Sequence, residues 1–474
     1  MKTIKNLLLS TAILTCLFST QSAAQYRVSP GKYAVKFTDK NDNTYTLERP
    51  QEFLSQKALD RREKFSIGLD ERDLPVVPDY VDSLKSLGFD IQGVSKWFNC
   101  AVVICDSADL EKLKDLSFVD YDYVWRKPKD STATATPVQP VKLERSKFKR
   151  KKQPDLALKL HYGKGENQAQ MLNIQALHNL GFKGEGITAA LLDAGFYKVD
   201  KLNSFKPMLA KEHVLGTWDF ADREESVYED DTHGMNVLSC ITGYEPDYLV
   251  GTAPEAQVYL FRTEIGRSEN IVEEFLWAMA AEKADSLGVD LIHSSLGYHK
   301  FDDPDKSYKY NEMDGNTAIS TIAADIAASK GILVTVSAGN EGDDFVWPWI
   351  TSPADADSVL TVGAVDKDGK IAYFSSLGPS FDGRIKPDVC AKGLNSAVQG
   401  TSNHITHSNG TSFSGPIMAG ACICLMQAHP KAPVMALIRA IQTASSQFDN
   451  PDTTYGYGIP DFELAHQLLI KEGY

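Results

Sequence analysis

Cysteine is scarce: seven in 474 residues. Cys16 lies near the N-terminus, Cys100 and Cys105 in the front half, and Cys240, Cys390, Cys422 and Cys424 in the back. No pair has metal-ligand spacing, because the CxC at 422–424 lacks a partner cluster, so no metal site is expected from them. Export would permit disulfides without requiring them, and free, buried thiols are the favoured reading. Positive charge is also short. The 49 Lys and Arg against 63 Asp and Glu leave a net of −14, which argues against a nucleic-acid partner. After the N-terminal segment no run approaches the roughly 18–20 apolar residues of a membrane span, so no transmembrane segment is expected. The 43% hydrophobic and 24% charged residues, with 33 Gly and 21 Pro, fit a soluble globular chain of two or three domains.

The charge deficit is uneven. Residues 1–160 hold 27 basic and 21 acidic residues, a net of +6, whereas residues 161–474 hold 22 and 42, a net of −20. A basic front half could therefore dock electrostatically on an acidic back half. Lys2 and Lys5, the apolar run at 7–18 and Ser22-Ala23-Ala24 mark residues 1–24 as a signal peptide. A secreted or periplasmic destination follows. Lipid attachment at Cys16 is the weaker alternative, because Thr15 stands where a smaller residue is usual.

Residues 25–127 suggest a small mixed domain, with strands at 32–37 and 97–104 and helices at 80–87 and 106–116. Residues 128–160 are poor in apolar side chains and carry a basic cluster at 147–152, the pattern of an exposed, flexible linker open to proteolytic processing. From about residue 161 the pattern changes. Short apolar runs at 187–192, 258–261, 291–294, 333–337 and 359–365 alternate with helical patterns such as 271–287, 317–329 and 412–428. Buried runs separated by helices predict a doubly wound, mostly parallel sheet with helices on both faces. Functional groups in such sheets collect at the carboxyl ends of strands.

Four residues stand at such ends. Asp193 closes one apolar run, where a carboxylate can orient an imidazole or simply cap a turn. His233, in Asp231-Thr232-His233-Gly234, opens a helical pattern where it could act as a general base, with Gly234 permitting close backbone approach. His293 and His429 lack that setting and are assigned to packing or surface. Asn340, between Gly339 and Glu341, could supply an amide donor to an oxyanion. Ser412, in Gly410-Thr411-Ser412 before an apolar helix, could be a nucleophile, though N-capping is the simpler use of such a hydroxyl.

Asp, then His, then Ser along one α/β chain is the subtilisin order, and the flanking residues resemble the subtilase family. Ala189-Ala190-Leu191-Leu192-Asp193-Ala194-Gly195, Thr232-His233-Gly234, Ser295-Leu296-Gly297, Ser337-Ala338-Gly339-Asn340-Glu341-Gly342 and Gly410-Thr411-Ser412 look like its successive motifs. The similarity covers about residues 165–470. It implies a subtilisin-like domain over 161–474 and an exported serine endopeptidase acting on peptides or proteins, expected as a monomer. Ser412 would attack, His233 would carry the proton, Asp193 would hold the imidazole, and Asn340 with the Ser412 N–H would form the oxyanion hole. Ser295, Leu296, Gly297 and Gly339 would bind substrate. The front half would be a small α+β prodomain that assists folding and blocks the cleft.

Departures from the family pattern carry their own expectations. Ala194 stands where Ser or Thr is usual after the Asp, removing one supporting hydroxyl. Residues 243–251 lack the Asn-rich sequence of the family's calcium loop, so calcium is not expected at that site; the mechanism that the resemblance implies requires no cofactor, and calcium elsewhere stays open with no residues assigned to it. Asp302, Asp303 and Asp305 suggest a solvated acidic loop rather than a cation site. The long stretch 298–314, with Tyr298, Phe301, Tyr308 and Tyr310, is expected to border the cleft and tune subsite preference. An α/β-hydrolase esterase would place Ser first in a G-x-S-x-G elbow, but here Ser comes last and residue 414 is Ser. A catalytically silent relative acting as a binding protein is the remaining alternative.

Overall fold

The computed structural model describes residues 26–123, 125 and 160–474. The expected signal peptide with Cys16, and residues 128–159 of the expected linker, lie outside the described residues. The front part is an antiparallel sheet of Tyr26–Ser29 (β1), Lys32–Lys36 (β2), Asp90–Ser95 (β3) and Cys100–Ile104 (β4), in the order β1-β2-β4-β3. Helix Gln56–Phe65 (α1) starts where the Ser55 side chain accepts from the Ala58 N–H, and Pro78–Ser86 (α2) starts on a proline whose missing N–H needs no partner there. The strand expected at 97–104 is shorter. Trp97 and Phe98 sit in the turn between β3 and β4, with Asn99 at φ 46°, because both rings are buried against the back part. The helix expected at 106–116 is a 3₁₀ segment, Ser107–Leu113.

The back part is built on seven parallel strands: Thr188–Asp193 (β5), Val214–Asp219 (β6), Gln257–Arg262 (β7), Leu291–Ser294 (β8), Leu333–Ser337 (β9), Leu360–Val365 (β10) and Val389–Lys392 (β11). Their order is β11-β10-β9-β8-β5-β7-β6. β6 and β11 close the two edges and escape a search for apolar runs, since β6 is largely half-exposed and β11 has only four residues. Along β5, Ala189 and Leu191 face one core and Ala190 and Leu192 the other, the period-2 alternation of a sheet covered on both sides. Helices His233–Thr242 (α3), Thr411–Ala428 (α6), Val434–Thr443 (α7) and Phe462–Glu472 (α8) fill the first face; Val272–Leu287 (α4) and Ile319–Ser329 (α5) fill the second. α6 is long and apolar enough to cross a membrane, contrary to the run-length reading, but most of it is buried as the central core helix. All six described cysteines are free, and only Cys105 is partly exposed.

The front sheet lies on α4, with Val28, Ala34, Phe98 and Val102 in one core with Phe275 and Met279. A Cβ on Gly93 would come 2.6 Å from Met279 Sδ, so β3 lies close enough that a side chain there would displace the Met279 thioether. The joint is ionic as well as apolar. Arg61 and Arg62 of α1 reach Asp285 of α4 at 2.5 and 2.8 Å, Lys96 lies 3.5 Å from it, and Lys330 reaches back to Asp73 at 2.9 Å. The Glu282 carboxylate accepts the Lys96 and Trp97 N–H groups at 2.7 and 3.1 Å, and the Ser95 hydroxyl. Net charge does not explain this docking, because residues 26–125 hold 14 basic and 18 acidic residues. The positive surplus of the first 160 residues lies outside that unit, and attraction is local, through buried pairs.

The Asp285 carboxyl is held below its usual value of 3.8. Burial pushes it up, but Lys96, Arg61 and Arg62 outweigh that. Its contribution to docking is therefore complete above the unfolded value and lost as pH falls through the depressed one. Asp285→Ala strands the buried Arg61 guanidinium and leaves Arg62 with Asp73 alone, and should weaken the attachment by about 3–5 kcal/mol. Urea denaturation of the full chain should show an earlier loss of the front part, and an unchanged transition would show that the ionic joint contributes nothing.

Candidate active site

β5 delivers Asp193 to the carboxyl edge of the sheet with 1% of its surface exposed. α3 begins at His233, whose N–H donates to Asp231 Oδ1 at 2.8 Å. The His233 Nδ1–H donates to Asp193 Oδ1 at 2.7 Å; the carboxylate can only accept, so the proton sits on Nδ1 and Nε2 is left free as a base. The Ala194 N–H donates to the same oxygen at 2.8 Å. Asp193 Oδ2 is buried with no partner among the described residues. A Cβ on Gly234 would stand 2.4 Å from the Gly195 carbonyl oxygen and 2.9 Å from Asp193 Cβ, so the predicted close approach is real. Burial pulls the His233 pKa down, but Asp193, with Asp231 and Glu264, outweighs it and holds the imidazole above the ordinary 6.5.

Ser412 occupies the first turn of α6, almost buried, and its hydroxyl donates to the Ser295 carbonyl at 3.4 Å. Among the described residues no hydrogen bond joins it to His233. Asn340 Oδ1 accepts from the Thr411 N–H at 2.8 Å and the Thr411 hydroxyl at 3.1 Å, which fixes the amide and leaves its Nδ2 donors for an incoming oxygen. A polar layer beneath supports the turn. The Ser295 hydroxyl donates to the Ser412 carbonyl at 3.0 Å, and the Ser337 hydroxyl to the Thr411 carbonyl at 2.9 Å. His293, assigned from sequence to packing or surface, is buried in this layer between Thr335 and Ser295, both at 2.9 Å, and burial pushes its pKa down to about 3. His293 therefore braces the layer as a neutral ring.

Ser295, Leu296 and Gly297 follow β8, and the next residue is anchored by Tyr298 N–H to Ser352 O and Ser352 N–H to Tyr298 O, at 2.8 and 3.1 Å. Gly297 and Asn340 are exposed, whereas Leu296 and Gly339 are half-buried. The Thr351 hydroxyl lies beside both glycines, buried and with no partner among the described residues. The rings of the 298–314 stretch turn inward. Tyr298, Phe301 and Tyr308 are buried, and Tyr298 and Tyr308 donate to Glu264 and Glu274 at 2.7 and 2.6 Å. They build the loop rather than offer a surface. Asp302 and Asp303 accept backbone N–H groups from Glu269 and Asp305 at 3.2 Å. Sequence patterns missed Glu264 and Arg262, which lie at the end of β7 beside Asp193; burial pushes Glu264 up to about 7. Their position at a strand's carboxyl end was the available signal.

A family profile described as "Subtilase family" matches residues 184–458, more than half of the chain. Another, "Peptidase S8 propeptide domain, Bacteroidota", matches residues 32–140. Subtilisin NAT of Bacillus subtilis subsp. natto is 29% identical over 300 residues, covering 62% of this chain and 68% of its own. Serine protease AprX of Bacillus subtilis (strain 168) is 27% identical over 312 residues, covering 59% and 66%. The solved structure described as "Crystal structure of MycP1 with the N-terminal propeptide removed" aligns with a TM-score of 0.51 at 23% identity, over 63% of this chain and 96% of that one, a likeness of fold.

NMR titration should place the His233 imidazole above 6.5. Asp193→Asn, which removes the charge that raises it, should bring the midpoint down. A midpoint indifferent to that change would show that the 2.7 Å contact carries no electrostatic weight.

Proposed function

The chain belongs to the subtilase family of serine endopeptidases and carries a propeptide domain of that family, and from this premise we propose that Ser412, His233 and Asp193 perform the reaction on peptides or proteins outside the cytoplasm. The observation that carries the reading is the Asp193–His233 hydrogen bond at 2.7 Å, beside a serine at a helix start and an asparagine with its amide donors free. His233 Nε2 takes the Ser412 proton as Oγ attacks the scissile carbonyl. Asn340 Nδ2 and the Ser412 N–H bind the developing oxyanion. His233⁺ then protonates the leaving amine, and the same base activates water to release the acyl group. The open Ser412–His233 contact fits a substrate-free site, where such bonds are often long. The reaction as proposed uses only side chains and one backbone N–H of a single chain, and water.

Ser295, Leu296 and Gly297 would pair with substrate backbone as an added strand. A carbonyl held by Asn340 directs the side chain on its acyl side between Gly297 and Gly339. A Cβ built on those glycines would lie 2.2 and 3.1 Å from Thr351 Oγ1, so Thr351 fills that space and favours a small residue there. Residues 1–24 supply the export signal, and the front part, docked on α4, would assist folding and restrain activity until removed. No observation favours the silent-relative reading.

Residues 25–474 and their Ser412→Ala variant are treated with a fluorophosphonate probe and analysed by mass spectrometry. Label on Ser412, with a cut between about residues 125 and 165, should appear in the first and vanish in the second. A folded, processed, unlabelled protein would overturn the reading. Activity should fall as pH drops through a midpoint above 6.5, because the base must be neutral. Thr351→Gly should shift cleavage in a peptide library toward large side chains on the acyl side, and an unchanged profile would remove Thr351 from specificity.

A further inference from the structure

β7 ends at Arg262, which pairs in register with Asp193 on one side and Asp219 on the other. One nitrogen of its guanidinium, Nη1, lies 2.5 Å from Asp219 Oδ2, 2.6 Å from Asp222 Oδ2 and 3.4 Å from Asp230 Oδ1. These carboxylates come from three points of the β6–α3 connection: the strand end, the turn after it, and the segment just before His233. Oxygens of all three lie within 4.8 Å of one another, a cation's ligand spacing, and the cation at their centre is the chain's own arginine. Asp219 is wholly buried, and its Oδ1 accepts the Ala221 and Asp222 N–H groups at 2.8 and 2.9 Å, which closes the turn.

The other end of the connection is pressed onto the Asp193 turn. A Cβ on Gly195 would meet Asp231 N at 2.5 Å and Asp230 Cβ at 2.7 Å, and the Tyr197 N–H donates to the Asp231 carbonyl at 3.1 Å. Asp231 in turn receives the His233 N–H. A chain of contacts thus runs from Arg262 through Asp230 and Asp231 to the His233 backbone.

We infer that Arg262 is a positioning residue: its guanidinium serves as a resident cation that seats the segment before His233 against the Asp193 turn, the task a bound metal ion would otherwise perform. This rests on the Ser412–His233–Asp193 reading. Without Arg262, buried Asp219 faces two further carboxylates with no counter-charge, and the segment before His233 loses its anchor. The front part touches the same turn from outside, through Gln92 to the Phe220 and Ala221 carbonyls at 2.8 and 3.0 Å and Asp90 to Arg223 at 2.6 Å. The effect should therefore be largest in the processed enzyme.

The test measures kcat and KM on a peptide substrate for processed wild type, Arg262→Ala, Arg262→Lys and Asp230→Asn, each with and without millimolar guanidinium or calcium. Arg262→Ala should lose roughly 10- to 100-fold in kcat with KM nearly unchanged, the scale of a misplaced catalytic group. Guanidinium or calcium should restore part of that loss, and Arg262→Lys should retain most of the turnover. Asp230→Asn, which leaves Asp219 paired, should lose a smaller share of kcat and decides the matter if Arg262→Ala does not fold. Wild-type kcat in Arg262→Ala or in Asp230→Asn, or a folded Arg262→Ala that neither cation rescues, would overturn the proposal. Fluorophosphonate labelling of the wild type separates the two failures. An unlabelled Ser412 sinks the mechanism, whereas a labelled Ser412 beside an indifferent Arg262 sinks only the positioning role.

Discussion

A carboxylate with 1% of its surface exposed is costly unless its charge is answered, and Asp193 is answered on one oxygen only. The His233 imidazole and the Ala194 N–H share Oδ1, while Oδ2 has no donor. The arrangement around it follows from that need. The carboxylate requires a donor at a fixed place, so Gly234 must lack a side chain for α3 to start there. The imidazole that answers Asp193 is itself held charged more readily than usual, which couples a structural requirement to proton transfer. Asn340 follows β9 of the same parallel sheet, and Ser412 arrives in the first turn of α6, the helix packed against that sheet.

The joint between the front and back parts follows a different logic. Asp285 and Asp73 are wholly buried and each meets more than one cation, so the charges are matched inside the contact rather than between surfaces. Such pairs specify geometry more than they add strength. Glu282 adds directional hydrogen bonds to backbone N–H groups of the turn after β3, and the apolar faces of the front sheet and α4 supply the burial. One interface thus combines area, which is tolerant, with buried charge, which is not.

Much of this was legible in the sequence. The five central strands betray themselves as apolar runs, and Asp193, His233, Asn340 and Ser412 each stand at the end or start of an element. What stayed hidden depends on pairing across long separations. Arg61 and Asp285 lie 224 residues apart, and neither is unusual in its own neighbourhood. Arg262 ends a strand as any surface arginine might; only the fold brings Asp219, Asp222 and Asp230 around it. His293 looked like filler because Thr335, its partner in register on β9, lies 42 residues away in sequence and only the fold sets the two side by side. The edge strands were missed because half-exposed or short strands carry little periodic signal. The basic surplus misled for a simpler reason: it belongs to residues outside 26–125, the part described on α4.

The seating of the front sheet on α4 also has a kinetic side. While residues 26–474 form one chain, the contact is intramolecular and its occupancy does not depend on how much protein is present. A cut anywhere between residues 125 and 160 would turn the same surfaces into two partners, held by affinity alone rather than by effective concentration. Dilution would then become a means of release and crowding a means of retention. Destruction of the freed front part, by any protease, would make the separation one-way.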